Sequence, residues 1–588
     1  MGLRASRYLP LLRWVREYDR YRFASDINAA VLVTIIVIPQ SLAFALLAGL
    51  PAQAGLYASI LPCLAYAVFG TSNTLAVGPV ALISLMSAAA VGDVASAGTA
   101  GYAIASATLA LLCGLVLLGM GLMRLGFLSN FISHPVISGF ITASGLLIAA
   151  SQIKHLLGIQ ASGDSLIELG QSLAQTLPQT HQLTLAVGLP ALLFLYLVRR
   201  HLAPLLSHLK VSNRLTGIVI RMGPVAAVAI GTLVVYQLAL EQRGVAVVGE
   251  VPAGLPALAL PMGSWALIRE LLVPALLISI VTFVESVSLA QTLAARRRER
   301  VNPDQELLGL GTANLASALS GGFAVAGGFS RSIINYDAGA RTPAAGAFTA
   351  LGIGLVTVFF TPWFEHLPVS VLAASIIISV LSLVDFTTIR ETWQYSRHDG
   401  SALIGTIAVT LGFGVIPGIV TGIALSLVLY LWRTSRPHSA LVGRIKGSES
   451  FRNIVRHKVE TDPRVMILRV DESLYFANSR YLEDRIYTLI LEQPELRDFV
   501  LMCPAVNYID ASALESLEAI NGRLHDAGIR LHLSEVKGPV MDKLNRSHFL
   551  QGLTGDVFMS TYEAWCKLHG NGDNAEPDTP QPKDAETE

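Results

Sequence analysis

Charge is what this sequence has little of. Only 14% of its 588 residues are charged, against about 25% in an ordinary soluble protein. The deficit is local. Residues 27–432 hold 17 basic and 15 acidic side chains, whereas residues 433–588 hold 19 and 24. Between Asp26 and Arg124 the one charged residue is Asp93. The whole chain balances at 42 basic against 42 acidic, which excludes a strongly basic nucleic-acid binder and an acidic-tail protein. Cysteine is sparse too. Cys63, Cys113, Cys503 and Cys566 form no C-x-x-C pair, so neither a disulfide framework nor a zinc site is indicated. There is no phosphate-binding G-x-x-x-x-G-K-[S/T], no metal-ligand spacing and no nucleophile–base pair. An enzyme is therefore not expected, nor a cofactor or metal. Six arginines and no long apolar stretch precede Asn28, which argues against a cleavable signal.

What fills the space is apolar sequence. Residues 27–123 alone have room for about four membrane spans at roughly 20 residues each. Further runs continue to residue 432 and divide into 12 to 14 crossings, of which 14 fits the charge pattern best. With the arginine-rich N-terminus in the cytoplasm, the turns after even-numbered helices carry Arg124; Arg199, Arg200, Lys210 and Arg214; Arg296, Arg297, Arg298 and Arg300; Arg341; Arg390 and Arg397; and Arg433 and Arg436. The other side has mainly Lys154, Arg243 and Arg269, as the positive-inside rule requires. Both termini are then cytoplasmic, and the protein is a multi-pass protein of the cell's inner (plasma) membrane.

The expected organisation has five parts. Residues 1–26 form a cytoplasmic N-terminal segment, 27–432 the membrane domain and 433–463 a linker. Residues 464–568 alternate apolar strands (464–470, 498–503, 529–534) with helical patterns, which predicts a small α/β domain. Residues 569–588, rich in Pro, Asp and Glu, read as a disordered tail.

Four segments carry chemistry. Val77-Gly78-Pro79-Val80-Ala81 opens a short apolar helix from about residue 79, with Pro79 at its start. Gly327-Gly328-Phe329-Ser330-Arg331-Ser332 opens another. Paired short or Gly/Pro-interrupted helices are the sequence mark of a transporter site, where two positive dipole ends favour an anion. Glycines of this kind serve close helix packing equally well. Arg331 lies in an apolar run, where a cation is costly and reads as functional, or else as an arginine reaching toward a membrane face. Glu285 is a second intramembrane charge. A carboxylate suits a coupling H+ or Na+, or alternatively a structural pairing with Arg331. In Ile38-Pro39-Gln40, Pro39 should kink or break the first helix, and Gln40 and Phe44 lie one turn apart on one face. In the α/β domain, Asp510-Ala511-Ser512-Ala513 opens a helix, where Asp510 or Ser512 supplies a cap or Ser512 a phosphorylation site.

Together these segments resemble the SulP family of anion permeases, sulfate-transporter-like proteins with a cytoplasmic STAS domain, over about residues 20–566. The resemblance rests on Ile38-Pro39-Gln40 through Leu50-Pro51, Gly55-Leu56-Tyr57-Ala58, Phe69-Gly70-Thr71-Ser72, Val77-Gly78-Pro79-Val80-Ala81, Ser133-His134-Pro135-Val136, Glu285-Ser286 and Gly328-Phe329-Ser330-Arg331-Ser332. It implies an α-helical polytopic membrane protein of 14 segments in two inverted repeats of seven, with core (1–4, 8–11) and gate (5–7, 12–14) domains, plus the α/β STAS domain. It further implies that Gln40, Phe44, Pro79, Val80, Ser330 and Arg331 frame the anion, that Glu285 couples the cation, and that the chain forms a homodimer. The STAS domain resembles anti-sigma-factor antagonists. Their phosphorylated Asp-Ser-Ser-Gly turn aligns with Asp510-Ala511-Ser512-Ala513, which lacks the neighbouring Ser and Gly. The expected function is secondary active transport of a small inorganic anion, sulfate first, with H+ or Na+ by alternating access in the lipid bilayer. Na+-coupled bicarbonate transport, C4-dicarboxylate transport, an uncoupled exchanger or channel, and a membrane sensor signalling through STAS are the competing readings.

Overall fold

The computed structural model describes residues 9–130, 133–208, 216–217, 219–220, 222–261 and 263–569. Lys210, Arg214 and the expected tail from residue 570 onward lie outside the described residues. The chain divides into two compact units, residues 1–427 and 428–588.

The first unit is helical, because a chain surrounded by lipid must satisfy its backbone within each segment. Its first seven helices are α1 Arg20–Leu47, α2 Gln53–Phe69, α3 Ala81–Gly92, α4 Ala100–Leu122, α5 His134–Leu157, α6 Gln182–His208 and α7 Gly223–Gln237. The next seven are α8 Trp265–Arg296, α9 Pro303–Leu319, α10 Phe329–Asp337, α11 Ala344–Phe359, α12 Val369–Val380, α13 Arg397–Phe413 and α14 Val415–Ser435. Among the described residues, α1, α4, α5, α6, α8 and α14 are each long and apolar enough to cross a membrane. The two series match in order. Each has a short third helix, and each places an amphipathic helix between its fifth and sixth members, Leu166–Thr176 and Phe386–Tyr395. Helix α1 begins at Arg20, seven residues earlier than the apolar run suggests. It also continues through Pro39 without a break, so the missing N–H is absorbed within the helix.

Packing separates the helices into two sets. Helix α9 lies against α2 and α4, α8 against α4, and α11 against α1 and α2. In the other set, α12 lies against α5 and α6, and α13 against α5. Small residues allow the close α4–α9 crossing: a Cβ on Gly114 would come within 2.8 Å of Leu315, the role of glycine in membrane helix contacts. Two buried carboxylates tie loops to helix starts. Asp26 on α1 accepts from the Arg341 N–H and the Thr342 hydroxyl, both at 2.6 Å. Glu306 on α9 accepts from the Tyr66 hydroxyl at 2.6 Å and the Thr71 N–H at 2.8 Å. A buried carboxylate persists only when satisfied in this way.

Two short strands, β1 Val77–Gly78 and β2 Ala326–Gly327, pair antiparallel, with Val77 opposite Gly327 and Gly78 opposite Ala326. They lead directly into α3 and α10. The chain therefore enters the two short helices from opposite directions at one place, as inverted repeats require.

The second unit is a six-stranded sheet in the order β4-β3-β5-β6-β7-β8. Its strands are β3 Ser439–Arg444, β4 Phe451–Asn453, β5 Val465–Val470, β6 Asp498–Met502, β7 Arg530–Ser534 and β8 Val557–Phe558. Strands β5 to β8 run parallel and β3 runs antiparallel to β5. Leu468, Leu501 and Leu533 face helices α15 Ser479–Leu491 and α16 Ala511–Asp526. Ile467, Val500 and Phe558 pack with Trp565 of the last helix on the other face. Residues 433–463, expected to be a linker, thus contribute two strands to this sheet. Their alternation is too brief, and too close to the apolar end of α14, to stand out in the sequence.

Candidate functional site

The site is built where β1 and β2 meet. Neighbouring side chains hold both strand approaches. The Ser332 hydroxyl accepts from the Ala76 N–H at 2.9 Å, and the Ser286 hydroxyl accepts from the Gly327 N–H at 2.9 Å. Asn314 both accepts from the Val325 N–H and donates to the Val325 carbonyl. The extended segments end at Val80 and Gly328, the N-caps of α3 and α10. Helix α3 therefore starts at Ala81 and not at Pro79, since pairing keeps the preceding residues extended. Helices α4, α8 and α9 are capped by Thr99, Ser264 and Asn302. Neither Val80 nor Gly328 has a side chain able to cap, so the first N–H groups of α3 and α10 are left open.

A cavity of about 60 Å³ lies against these two ends. Gln40 and Phe44 of α1 line it, with Pro79 and Val80 before α3, Ser330 and Arg331 on α10, and Glu285 on α8. The structure thus brings together all seven membrane residues singled out in the sequence. It adds Ser379 and Ser382, at and just beyond the end of α12. No motif marked those two. They are common residues whose position depends on how the second helix set packs on the first.

Arg331 is 3% exposed. It makes no hydrogen bond or ion pair with any described residue. Its guanidinium lies against the paired strands. A Cβ on Gly78 would collide with Nη1, and one on Gly328 would come within 2.5 Å of Nε. These two glycines therefore make room for the arginine, which goes beyond helix packing. Glu285 Oε2 is buried and has no hydrogen-bond partner. Glu285 and Arg331 form no ion pair, so the structural-pairing reading does not hold. Behind Glu285 is a small apolar pocket of about 20 Å³ lined by Leu82, Phe140, Val281 and Ile419. On the other side, a wider cavity of about 310 Å³ shares Gln40, Phe329, Ser330, Ser379 and Ser382 with the site and runs past Leu195, Arg199 and Gly223. The arrangement is a cavity with two helix N-termini, a guanidinium without a described partner, an unsatisfied carboxylate and a broad approach, and helix N-termini beside a cation favour an anion.

Ser512 stands apart, in the second unit. The cap of α16 is Asp510, which accepts from the Ala513 N–H at 2.9 Å. Ser512 is exposed.

Comparison with known proteins matches residues 23–406 to the sulfate permease family and residues 456–564 to the STAS domain. The chain belongs to the sulfate permease family. It is 34% identical over 559 residues to the chloroplastic sulfate transporter 4.1 of Arabidopsis thaliana, covering 92% of this chain and 79% of that one. It is 32% identical over 551 residues to a probable sulfate transporter of Mycobacterium tuberculosis strain H37Rv, covering 93% and 95%. Among solved structures, the anion transporter SLC26A9 superposes with a TM-score of 0.89 at 21% identity, over 97% of this chain and 94% of that one. The transmembrane domain of the cyanobacterial bicarbonate transporter BicA gives 0.59 at 21%, over 69% and 98%. This permease is a multi-pass membrane protein that transports an anion, and it is not an enzyme.

Proposed function

We propose that this permease is a secondary active transporter of a small inorganic oxyanion, sulfate first, that couples uptake to H+ or Na+. The observation that carries the reading is the buried Arg331 guanidinium, left without a protein acceptor beside two uncapped helix ends. A buried charge without a partner is strongly destabilising, and an oxyanion in the cavity supplies the missing acceptors. About 60 Å³ gives room for about four to six water-sized groups at roughly 10–15 Å³ each, a range that covers the heavy-atom counts of sulfate and bicarbonate. The named relatives that are sulfate transporters support sulfate.

Glu285 serves the coupling cation. With its Oε2 unsatisfied, it takes H+ or Na+, so the loaded site crosses without a bare carboxylate. The set α1–α4 with α8–α11 moves against α5–α7 with α12–α14, exposing the cavity first to one side and then to the other. The permease works in the plasma membrane as a homodimer, with both termini in the cytoplasm. Ser512 is exposed for a kinase.

The test is uptake into proteoliposomes of labelled sulfate, bicarbonate and succinate under imposed pH and Na+ gradients. Gradient-dependent sulfate accumulation is expected. Bicarbonate or succinate accumulation in its place would reassign the substrate, and equilibration without accumulation would make the protein a channel or uncoupled exchanger. No flux at all, with a partner that binds only phosphorylated protein, would make it a sensor.

A further inference from the structure

A second, larger cavity lies elsewhere in the first unit. It has a volume of about 1110 Å³ and shares no lining residue with the anion site. Its walls are the short helix Leu11–Trp14, the turn after α2, the α8–α9 turn and the loop before α11. Five arginines line it, Arg13, Arg22, Arg298, Arg300 and Arg341, against two acidic residues, Glu17 and Glu299. Both acids are engaged. Glu17 pairs with Arg22 at 3.2 Å, and Glu299 accepts from Asn73 Nδ2 at 3.0 Å. Arg341 donates to the Tyr21 hydroxyl at 3.5 Å. The side chains of Arg13, Arg298 and Arg300 have no ion pair or hydrogen bond among the described residues.

Arg298 adds a second observation. Helix α8 ends in a turn where the Arg298 N–H bonds the Ala295 carbonyl and the Glu299 N–H bonds the Ala294 carbonyl. Arg298 takes φ of +57° there, a left-handed position that favours glycine. The neighbouring Arg297 has an evident structural task. It donates to the Tyr336 carbonyl at 2.8 Å and stacks over the Tyr336 ring at 4.4 Å. Arg298 has no such task, and its exposed side chain lines the cavity. A strained backbone that holds an unpaired cation in a cavity suggests a ligand.

We propose that this cavity binds a phosphate-bearing polyanion, either an anionic lipid headgroup or a soluble polyphosphate. Guanidinium forks match phosphate oxygens in pairs. A space of this size lies at the upper end of small-molecule sites, and a single oxyanion would leave it mostly water. The arginine pattern assigns these turns to the cytoplasmic side, where anionic headgroups attract basic pockets between membrane helices.

The test uses the full-length protein in neutral detergent, with melting followed against phosphatidylglycerol, phosphatidylcholine or pyrophosphate at matched ionic strength. Wild type should melt higher with phosphatidylglycerol if the ligand is a headgroup, or with pyrophosphate if it is soluble. In Arg298→Gly and Arg300→Ala the apparent affinity should fall about tenfold. Arg298→Gly should itself melt at or above the wild-type temperature, because glycine relieves the left-handed turn, so a lost response is not unfolding. Arg331→Ala should respond as wild type does. The proposal is overturned if neither anionic probe stabilises wild type, if both turn variants keep wild-type affinity, or if Arg331→Ala loses the response.

Discussion

Arg331 and Glu285 were readable in the sequence because a charge in an apolar run is conspicuous and costly. In the structure they line one cavity without forming an ion pair, so the two proposed roles can be tested separately. Arg331→Ala should abolish saturable anion binding, since a hydrogen bond to a charged group contributes about 1.5–3 kcal/mol and the arginine offers several donors. Isothermal titration of the purified variant with sulfate checks this, and unchanged affinity would refute it. Glu285→Gln keeps the shape and removes the site for a cation. Its uptake should no longer follow the pH or Na+ gradient, and a gradient response equal to wild type would remove Glu285 from the coupling step. Gln40 and Phe44 were also legible, from helical spacing beside Pro39. Ser379 and Ser382 were not, because a serine near a helix end carries no signal until the opposite helix set is in place. Gly78 stands out in the sequence as part of a helix break, and the structure adds that its lack of a side chain admits a guanidinium 253 positions along the chain (Gly78 to Arg331).

At the level of elements, the paired short helices were visible as Gly/Pro interruptions, whereas the two-residue strands that join them were not. Such strands have no periodicity to read. The STAS strands β5, β6 and β7 were legible as short apolar runs, but β3 and β4 hid in a segment of mixed polarity. Asp462, just before β5, shows how this sheet is fastened. Burial by itself would raise its carboxyl, but hydrogen bonds from Arg464 and His569 outweigh burial and hold it below the ordinary aspartate value. The Arg464 Nη2 contact is 3.1 Å and the His569 Nδ1 contact 2.7 Å. A depressed folded-state value contributes stability that is present above the unfolded value, about 3.9, and is lost as pH falls through the folded value. Asp462→Asn should therefore lower the STAS melting temperature at pH 7 and flatten its decline below about pH 4. Parallel acid titrations of wild type and variant by circular dichroism check this, and equal declines would refute it.

At the scale of the first unit, two packed sets of helices both border the candidate cavity, with Gln40 and Arg331 from one set and Ser379 and Ser382 from the other. The cavity of about 310 Å³ gives a broad approach past Arg199. A cysteine at Ser382, in protein whose exposed Cys566 is replaced by Ser, should react with a membrane-impermeant maleimide faster from the side onto which the wider cavity opens. Saturating sulfate should slow the labelling severalfold. Labelling that saturating sulfate leaves unchanged would remove Ser382 from the site. The Ala76–Ser332 bond spans 256 positions, and it closes the strand pair on which the site depends. During synthesis, at roughly 5–20 residues per second, those positions take about 10–50 s to emerge. For that interval the first half of the permease sits in the membrane with its short third helix unpaired, so the proposed anion site is completed only when the tenth helix finds its partner.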